Sequence, residues 1–212
     1  MAIMRAARPA PTFAGLACVV AGFLLGHPAE AWAQSAVAQP IEVACPSELG
    51  VGVETGRLFC DVVTGLDPAA GIIVKIPGRR GTPVLSFDLH NRHTYSEQAV
   101  QAGTAYSRYT ATIGVLTMEN TLIQRATIES EFRSVGDAVD RIGGGAGDDG
   151  LKAIVPTGAE RIYVELPSNV SEVSILGEWL EVIRREGRER YTAPGRPIAI
   201  VSNVAVERRA RR

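Results

Sequence analysis

The chain has 212 residues, and its 22 lysines and arginines nearly balance its 23 aspartates and glutamates. Proteins that bind nucleic acid are usually strongly basic, so we expect no nucleic-acid partner. Beyond the N-terminal segment described next, no apolar run approaches the roughly 20 residues that a membrane-spanning helix needs, so we expect no transmembrane segment in the mature chain.

Residues 1–33 predict a signal peptide. Two arginines and no acidic residue precede an apolar run over 13–25, and the small residues Ala31 and Ala33 follow it. A basic start, a short apolar core and small residues at the cleavage site are typical of a secretory leader. We expect cleavage after Ala33, which would leave a mature chain of residues 34–212 in the periplasm or outside the cell.

Two cysteines remain after the leader, Cys45 and Cys60. An even number of cysteines in an oxidising compartment predicts a disulfide. The bond would close a loop of about 15 residues, stabilise the fold by roughly 3 kcal/mol, and tie the N-terminal segment 34–57 to the rest of the protein. A two-thiol metal or redox site is the alternative, although no histidine lies between the two cysteines.

Alternation of apolar and polar residues dominates from residue 58 to residue 207. Leu85, Phe87 and Leu89, for example, share one face of a predicted strand whose other face is polar. Strands that recur at short intervals between turn sequences predict a single all-β domain, a mostly antiparallel β-sandwich, followed by a basic tail, 208–212. The predicted strands are 58–63, 71–76, 83–91, 107–117, 122–132, 161–166, 173–183 and 197–206.

The order of these strands resembles the immunoglobulin and fibronectin type III class of sandwich in its architecture. The cysteine and tryptophan spacing of antibody domains is not present in the sequence. The resemblance therefore implies a sandwich fold and carries no site residues with it.

Two segments depart from the strand pattern. Residues 134–137 have the form of a capping box, and Val139 and Ile142 follow at helical spacing before a glycine, which predicts one short helix. Residues 176–185 fit either a helix or a strand. Their alternation, and the turn-like sequence 185–188 that follows, favour a β-hairpin.

Asp88, His90 and His93 are the densest group of potential metal ligands. A carboxylate and neutral imidazoles could bind zinc or copper, with Asp88 and His90 on one strand face and His93 just beyond the strand end. No second cluster completes a four-ligand set. The alternative is an exposed strand end in which Asp88 pairs with His90, while Asn91 and Arg92 satisfy loop carbonyls.

Residues 144–151 fit the glycine- and aspartate-rich pattern of calcium-binding nonapeptide repeats, with Asp148 and Asp149 as possible ligands. That resemblance covers one copy, whereas the sites of such repeats arise when successive copies stack. The alternative, a glycine-rich connector to the next strand, is favoured.

The sequence offers no assembled catalytic set. Both cysteines are expected to be bonded, and no Gly-x-Ser-x-Gly elbow is present. Ser86, Asp88 and His90 share one strand face, and side chains in a row along a strand cannot easily converge on one reacting atom. We therefore expect no catalytic residue and no cofactor.

These patterns favour an exported, non-catalytic protein that binds or scaffolds a protein or a component of the cell envelope. The loops 92–106 and 143–155 are the predicted contact surfaces. A metal- or calcium-responsive binding domain is the first alternative, and an envelope hydrolase is the second.

Overall fold

The computed structural model describes residues 41–78, 80–146, 151–156 and 159–209. The predicted leader, the centre of the calcium-like repeat (147–150) and the last three residues lie outside these ranges. The described strands are β1 (Val43–Ala44), β2 (Glu48–Val51), β3 (Leu58–Val63), β4 (Ile72–Lys75), β5 (Thr82–Asn91), β6 (His93–Ser96), β7 (Ser107–Thr117), β8 (Leu122–Phe132), β9 (Ala138–Ala146), β10 (Leu151–Pro156), β11 (Glu160–Glu165), β12 (Glu172–Arg184), β13 (Gly187–Tyr191) and β14 (Pro197–Arg209). One α-helix, α1 (Glu97–Gln101), lies between β6 and β7.

Two antiparallel sheets form the body of the protein. The five-stranded sheet has the order β11-β5-β14-β3-β2, and the six-stranded sheet has the order β1-β4-β12-β7-β8 with β13 paired to β12. Their facing side chains form one apolar core, to which Phe87 of β5, Ile113 of β7 and Ile175 of β12 contribute with no more than trace exposure. The predicted all-β, mostly antiparallel sandwich is confirmed.

Strand bounds follow the alternation of the sequence closely. The predicted strands 58–63, 107–117 and 122–132 coincide with β3, β7 and β8. The predicted hairpin is also present, because β12 turns into β13 and pairs with it from Leu180 to Arg184. The exposed polar face and buried apolar face of β8 are specified by its own residues. In contrast, β3 is a short run that is buried on both faces at its centre.

The helix predicted over 134–143 is wrong. A three-residue 3-10 turn, Val135–Asp137, is followed at once by β9. The capping interaction does form, since the Asp137 carboxylate accepts hydrogen bonds from the backbone N–H groups of Arg133 and Ser134 at 2.6 and 2.7 Å. The chain leaves the helical path after it because β9 pairs with β10.

A third sheet of three strands, in the order β6-β10-β9, joins the two segments that were predicted to be contact loops. It meets the five-stranded sheet on the side away from the main core, where Ile142 of β9 packs with Phe59 and Ile200 in a second apolar cluster. The segments 92–106 and 143–155 therefore consist partly of paired strands. The first segment also contains α1, whose N-terminus is capped by the Ser96 hydroxyl.

The predicted pairing of Cys45 with Cys60 is present, with 5.9 Å between their Cα atoms. It connects the segment before β2 to β3. In the described part of the chain, no helix is both long enough and apolar enough to cross a membrane.

Candidate functional site

Asp88 belongs to a network of hydrogen bonds and ion pairs on the outer face of the five-stranded sheet. Its Oδ1 accepts a hydrogen bond from Arg161 Nη1 at 2.9 Å, and its Oδ2 accepts one from Asn203 Nδ2 at 3.0 Å. Arg57 lies 3.5 Å away. The expected pairing of Asp88 with His90 is therefore replaced by pairing with cations.

His90 is buried rather than exposed, with 3% of its surface accessible. Its Nε2 lies 3.1 Å from the Ser202 hydroxyl, and its ring meets Phe59 edge-on with 5.7 Å between ring centroids. Alternation places His90 on the outer face of β5, and the second apolar cluster around Phe59 covers it there. Burial lowers the pKa of His90 to about 4, although the nearby Asp88 carboxylate opposes that shift.

His93 is fully buried at the start of β6. Its Nε2 lies 2.7 Å from the Ser130 hydroxyl, and its ring contacts the rings of Tyr109 and Phe132. Burial lowers the pKa of His93 to about 4, with a smaller opposing effect from Asp137. Both histidines are therefore neutral at neutral pH, and each nitrogen Nε2 already has a hydroxyl partner.

Asn91 completes this buried polar group, with no exposed surface. Its Nδ2 lies within hydrogen-bonding distance of the Ser130 hydroxyl as well as two backbone carbonyls of the opposite sheet. The expectation that Asn91 would satisfy loop carbonyls at an exposed strand end is wrong, because Asn91 continues the inward-facing series of Leu85, Phe87 and Leu89.

The residues predicted as metal ligands thus lie in three separate environments. Asp88 is bound to cations on the outer face, while His90 and His93 bond to different serines. Among the residues that the structure describes, no group of three or more His, Cys, Asp or Glu side chains is placed to hold a metal ion.

The serines and the histidine considered for the hydrolase alternative are not arranged as a catalytic triad. Ser202 is the hydroxyl beside His90, but His90 Nδ1 has no hydrogen-bond partner. A serine–histidine–acid triad needs a carboxylate on that nitrogen to orient the ring. The Ser86 hydroxyl instead accepts a hydrogen bond from Arg161 Nη2 at 2.8 Å.

A cleft of about 390 Å³ lies on the outer face of the six-stranded sheet. Leu116 and Leu176 form its floor. Leu116 follows the core residue Val115, and Leu176 follows the core residue Ile175. Both leucines therefore project from the face of the sheet that points away from the core. The lining residues are Gly65, Leu66, Leu116, Asn120, Arg125, Leu176, Gly177, Glu178, Thr192 and Pro194.

One wall of the cleft is the loop after β3. Thr64 bridges Gly177 of β12, and Gly65 N donates to the Gly177 carbonyl oxygen at 3.2 Å. A side chain at Gly177 would force its neighbours to move, because its Cβ would lie 2.7 Å from Ile198 Cδ1 and 3.0 Å from the Val63 carbonyl oxygen. The absence of a side chain there allows the loop to lie against the sheet.

The second wall is the connection from β13 to β14. Thr64 N donates to the Arg196 carbonyl oxygen at 2.9 Å, and Gly195 N donates to the Thr64 carbonyl oxygen at 2.7 Å. The Thr64 hydroxyl also donates to the Ala193 carbonyl oxygen. These bonds fix Thr192 and Pro194 beside the first wall.

Leu66 stands at the lip of the cleft with 85% of its surface exposed. Full burial of a leucine side chain is worth roughly 1.5–3 kcal/mol, so a ligand that covered Leu66 would gain a large part of that free energy. Leu66 lies between the predicted strands 58–63 and 71–76, beside the turn-forming residues Gly65, Asp67 and Pro68, and was not among the predicted site residues. An apolar residue inside an otherwise turn-forming segment was the available signal.

The rim of the cleft carries an ion pair. Arg125 Nε donates to both carboxylate oxygens of Glu178, at 2.7 and 2.9 Å. Glu178 follows Gly177 at an irregularity in the pairing of β12 with β7, where the register shifts between Gly177 and Trp179. The distortion brings Glu178 opposite Arg125, two strands away in the same sheet.

A second hollow, of about 530 Å³, lies between the β7–β8 turn and the β11–β12 connection. Its lining includes the carboxylates of Glu119 and Glu172 and is more polar than that of the cleft. Neither histidine lines either space. The apolar floor and the exposed Leu66 make the first cleft the stronger candidate for ligand binding.

Comparison with known proteins finds no matching family model, no similar curated protein and no similar solved structure.

Proposed function

We propose that the protein is an exported, non-catalytic binding protein, and that its ligand occupies the cleft on the six-stranded sheet. The observation that carries this proposal is the combination of an apolar floor, Leu116 and Leu176, with the almost fully exposed Leu66 beside it. Apolar hollows with a few polar groups at the rim are the usual form of small-ligand sites. The bonded partners of Asp88, His90 and His93 favour this function over metal binding or hydrolysis.

Export is supported by the leader-like sequence and by the Cys45–Cys60 pair at disulfide distance. The resemblance to immunoglobulin-like sandwiches is part of the same proposal, since domains of that architecture commonly serve in recognition. Expression of the full chain in a bacterium, followed by fractionation and N-terminal sequencing, tests export. We expect a product outside the cytoplasm that begins at Gln34, and a cytoplasmic product that retains Met1 would contradict the proposal.

Ligand binding is tested with a neutral apolar dye, N-phenyl-1-naphthylamine, whose fluorescence rises in apolar surroundings. We expect saturable binding of one dye per protein, weakened at least tenfold by Leu66→Asp. Val53→Asp is the matched control, because Val53 is also a turn residue with 71% exposure and lies outside the cleft. Equal dye affinity in the Leu66→Asp protein, or no binding by the unmodified protein, would overturn the proposal.

A further inference from the structure

Arg125 has more hydrogen-bonding capacity than the described part of the protein uses. Its bonds to Glu178 involve Nε alone, and its side chain is 60% exposed. No hydrogen bond from Nη1 or Nη2 to another described side chain or backbone group is present. A guanidinium offers five N–H donors in a rigid fork, so four remain available at the rim of an apolar cleft.

Glu178 holds the guanidinium in place. A side chain that is already fixed loses less conformational entropy when a ligand binds, which raises affinity. The Nη1 and Nη2 edge of an arginine matches the two oxygens of a carboxylate, and such paired bonds are among the strongest hydrogen bonds in proteins. Arg125 is thus paired with Glu178 through Nε next to an apolar surface, and its Nη1 and Nη2 groups are not bonded to any other described residue.

We propose that the ligand of the cleft is a small monocarboxylate with an apolar body. Its carboxylate would bind Arg125 Nη1 and Nη2, and its body would cover Leu66 and lie against Leu116 and Leu176. This inference rests on the proposed function and adds the chemical class of the ligand.

The unused Nη donors of Arg125 favour a single carboxylate over other ligand chemistries, whereas the lining itself carries one positive and one negative charge and so no net charge. Arg125 and Glu178 are the two charged residues among those that line the cleft. A dianion such as a phosphate monoester would face repulsion from Glu178 without a second cation to offset it, and a cationic ligand would be repelled by Arg125. A neutral apolar ligand would leave the Nη donors without a partner other than water.

The size of the cleft limits the ligand as well. A volume of about 390 Å³ lies near the lower end of the range of roughly 300–1,000 Å³ that small-molecule pockets span. A medium-chain fatty acid and the C-terminal end of an apolar peptide both present the required chemistry at this size. Each is tested as a separate arm of the experiment.

The experiment measures affinity by isothermal titration calorimetry with matched pairs of probes. Octanoate is compared with 1-octanol, and N-acetyl-leucyl-leucine is compared with its C-terminal amide. We expect at least one acid to bind at least tenfold more tightly than its neutral partner. The acid with the greater preference identifies whether an acyl chain or a peptide end is the better model of the ligand.

Variants then locate the preference. Arg125→Gln should abolish the preference for the acid, so that the acid and its neutral partner bind this variant with equal affinity. Arg133→Gln is the matched control, because Arg133 is exposed and ion-paired with Glu131 but does not line the cleft. The control should retain the full preference.

The outcomes separate this inference from the function on which it rests. If neutral probes bind as tightly as the acids, or if Arg125→Gln retains the preference, the ligand class is wrong while the binding cleft stands. If none of these probes binds while the dye does, the ligand class is likewise wrong and the binding cleft stands. If neither the probes nor the dye binds, both proposals are overturned.

Discussion

Asn91 of the five-stranded sheet donates across the core to the backbone of Tyr109 in the six-stranded sheet, with 3.1 Å between Nδ2 and the carbonyl oxygen. The same nitrogen lies 3.2 Å from the Ile128 carbonyl oxygen. One buried amide therefore connects both sheets at one end of the sandwich. Loss of a buried donor leaves its acceptors unsatisfied, at a cost of about 1–3 kcal/mol.

Asn91→Leu should accordingly lower the free energy of unfolding by about 1–3 kcal/mol, as measured by urea denaturation. The exposed loop residue Asn169 supplies the control, since Asn169→Leu should change that free energy by no more than about 0.5 kcal/mol. Equal effects of the two substitutions would show that the contact between the sheets contributes little.

Acid should destabilise the protein through its two buried histidines. The pKa of each falls from 6.5 to about 4 on folding, mainly because burial disfavours the charged ring. Between these values the unfolded state binds more protons than the folded state, so stability falls as the pH is lowered from 6.5 towards 4. At pH 5 each histidine should cost about 2 kcal/mol relative to pH 7.

Substitution by glutamine removes the titration and keeps a side chain that can bond to serine. Unfolding free energies at pH 7 and pH 5 should therefore differ by about 2 kcal/mol less in His90→Gln or His93→Gln than in the unmodified protein. In the double variant the reduction should be about twice as large. An unchanged pH dependence in the double variant would assign the acid sensitivity to other groups.

The sequence predicts the parts of this fold that depend on local pattern. Alternation located β8 because its exposed side chains alternate with buried ones, whereas β3, which was also located, is buried on both faces at its centre. It did not predict β9 and β10, whose pairing replaces the expected helix after Asp137. Pairing between distant segments decided that outcome, and the local capping signal was real but insufficient.

The candidate site was less predictable for the same reason. The walls of the cleft meet because Thr64 bonds to Arg196, 132 residues away in the sequence. The ion pair at its rim joins Arg125 to Glu178 across 53 residues. Neither contact has a sequence signature, whereas the histidines, which do attract attention in the sequence, are enclosed by packing.

Gly71 should resist substitution because it lies close to a neighbouring strand. A Cβ at this position would lie 2.7 Å from the Ile175 carbonyl oxygen, and backbone cannot easily yield. Gly71→Ala should therefore destabilise the fold by about 1–3 kcal/mol, in the range of overpacked sites. Gly78 has open space around it, so the melting temperature of Gly78→Ala should match that of the unmodified protein, and a similar drop for both substitutions would contradict this explanation.

Asp61 and Arg92 form the most buried ion pair in the described structure, with 6% of the Asp61 side chain and 25% of the Arg92 side chain exposed. Arg92 Nε lies 2.8 Å from Asp61 Oδ1. Burial raises the pKa of Asp61, and Arg92 opposes that shift. Arg92→Gln should leave a buried carboxylate without its cation and cost about 3–5 kcal/mol at pH 7. Because protonation of Asp61 removes the unpaired charge, the cost relative to the unmodified protein should shrink as the pH is lowered towards 4.

Adding Asp61→Asn to Arg92→Gln should restore part of the loss of unfolding free energy at pH 7. A double variant less stable than Arg92→Gln alone would show that Asp61 contributes through contacts other than this ion pair.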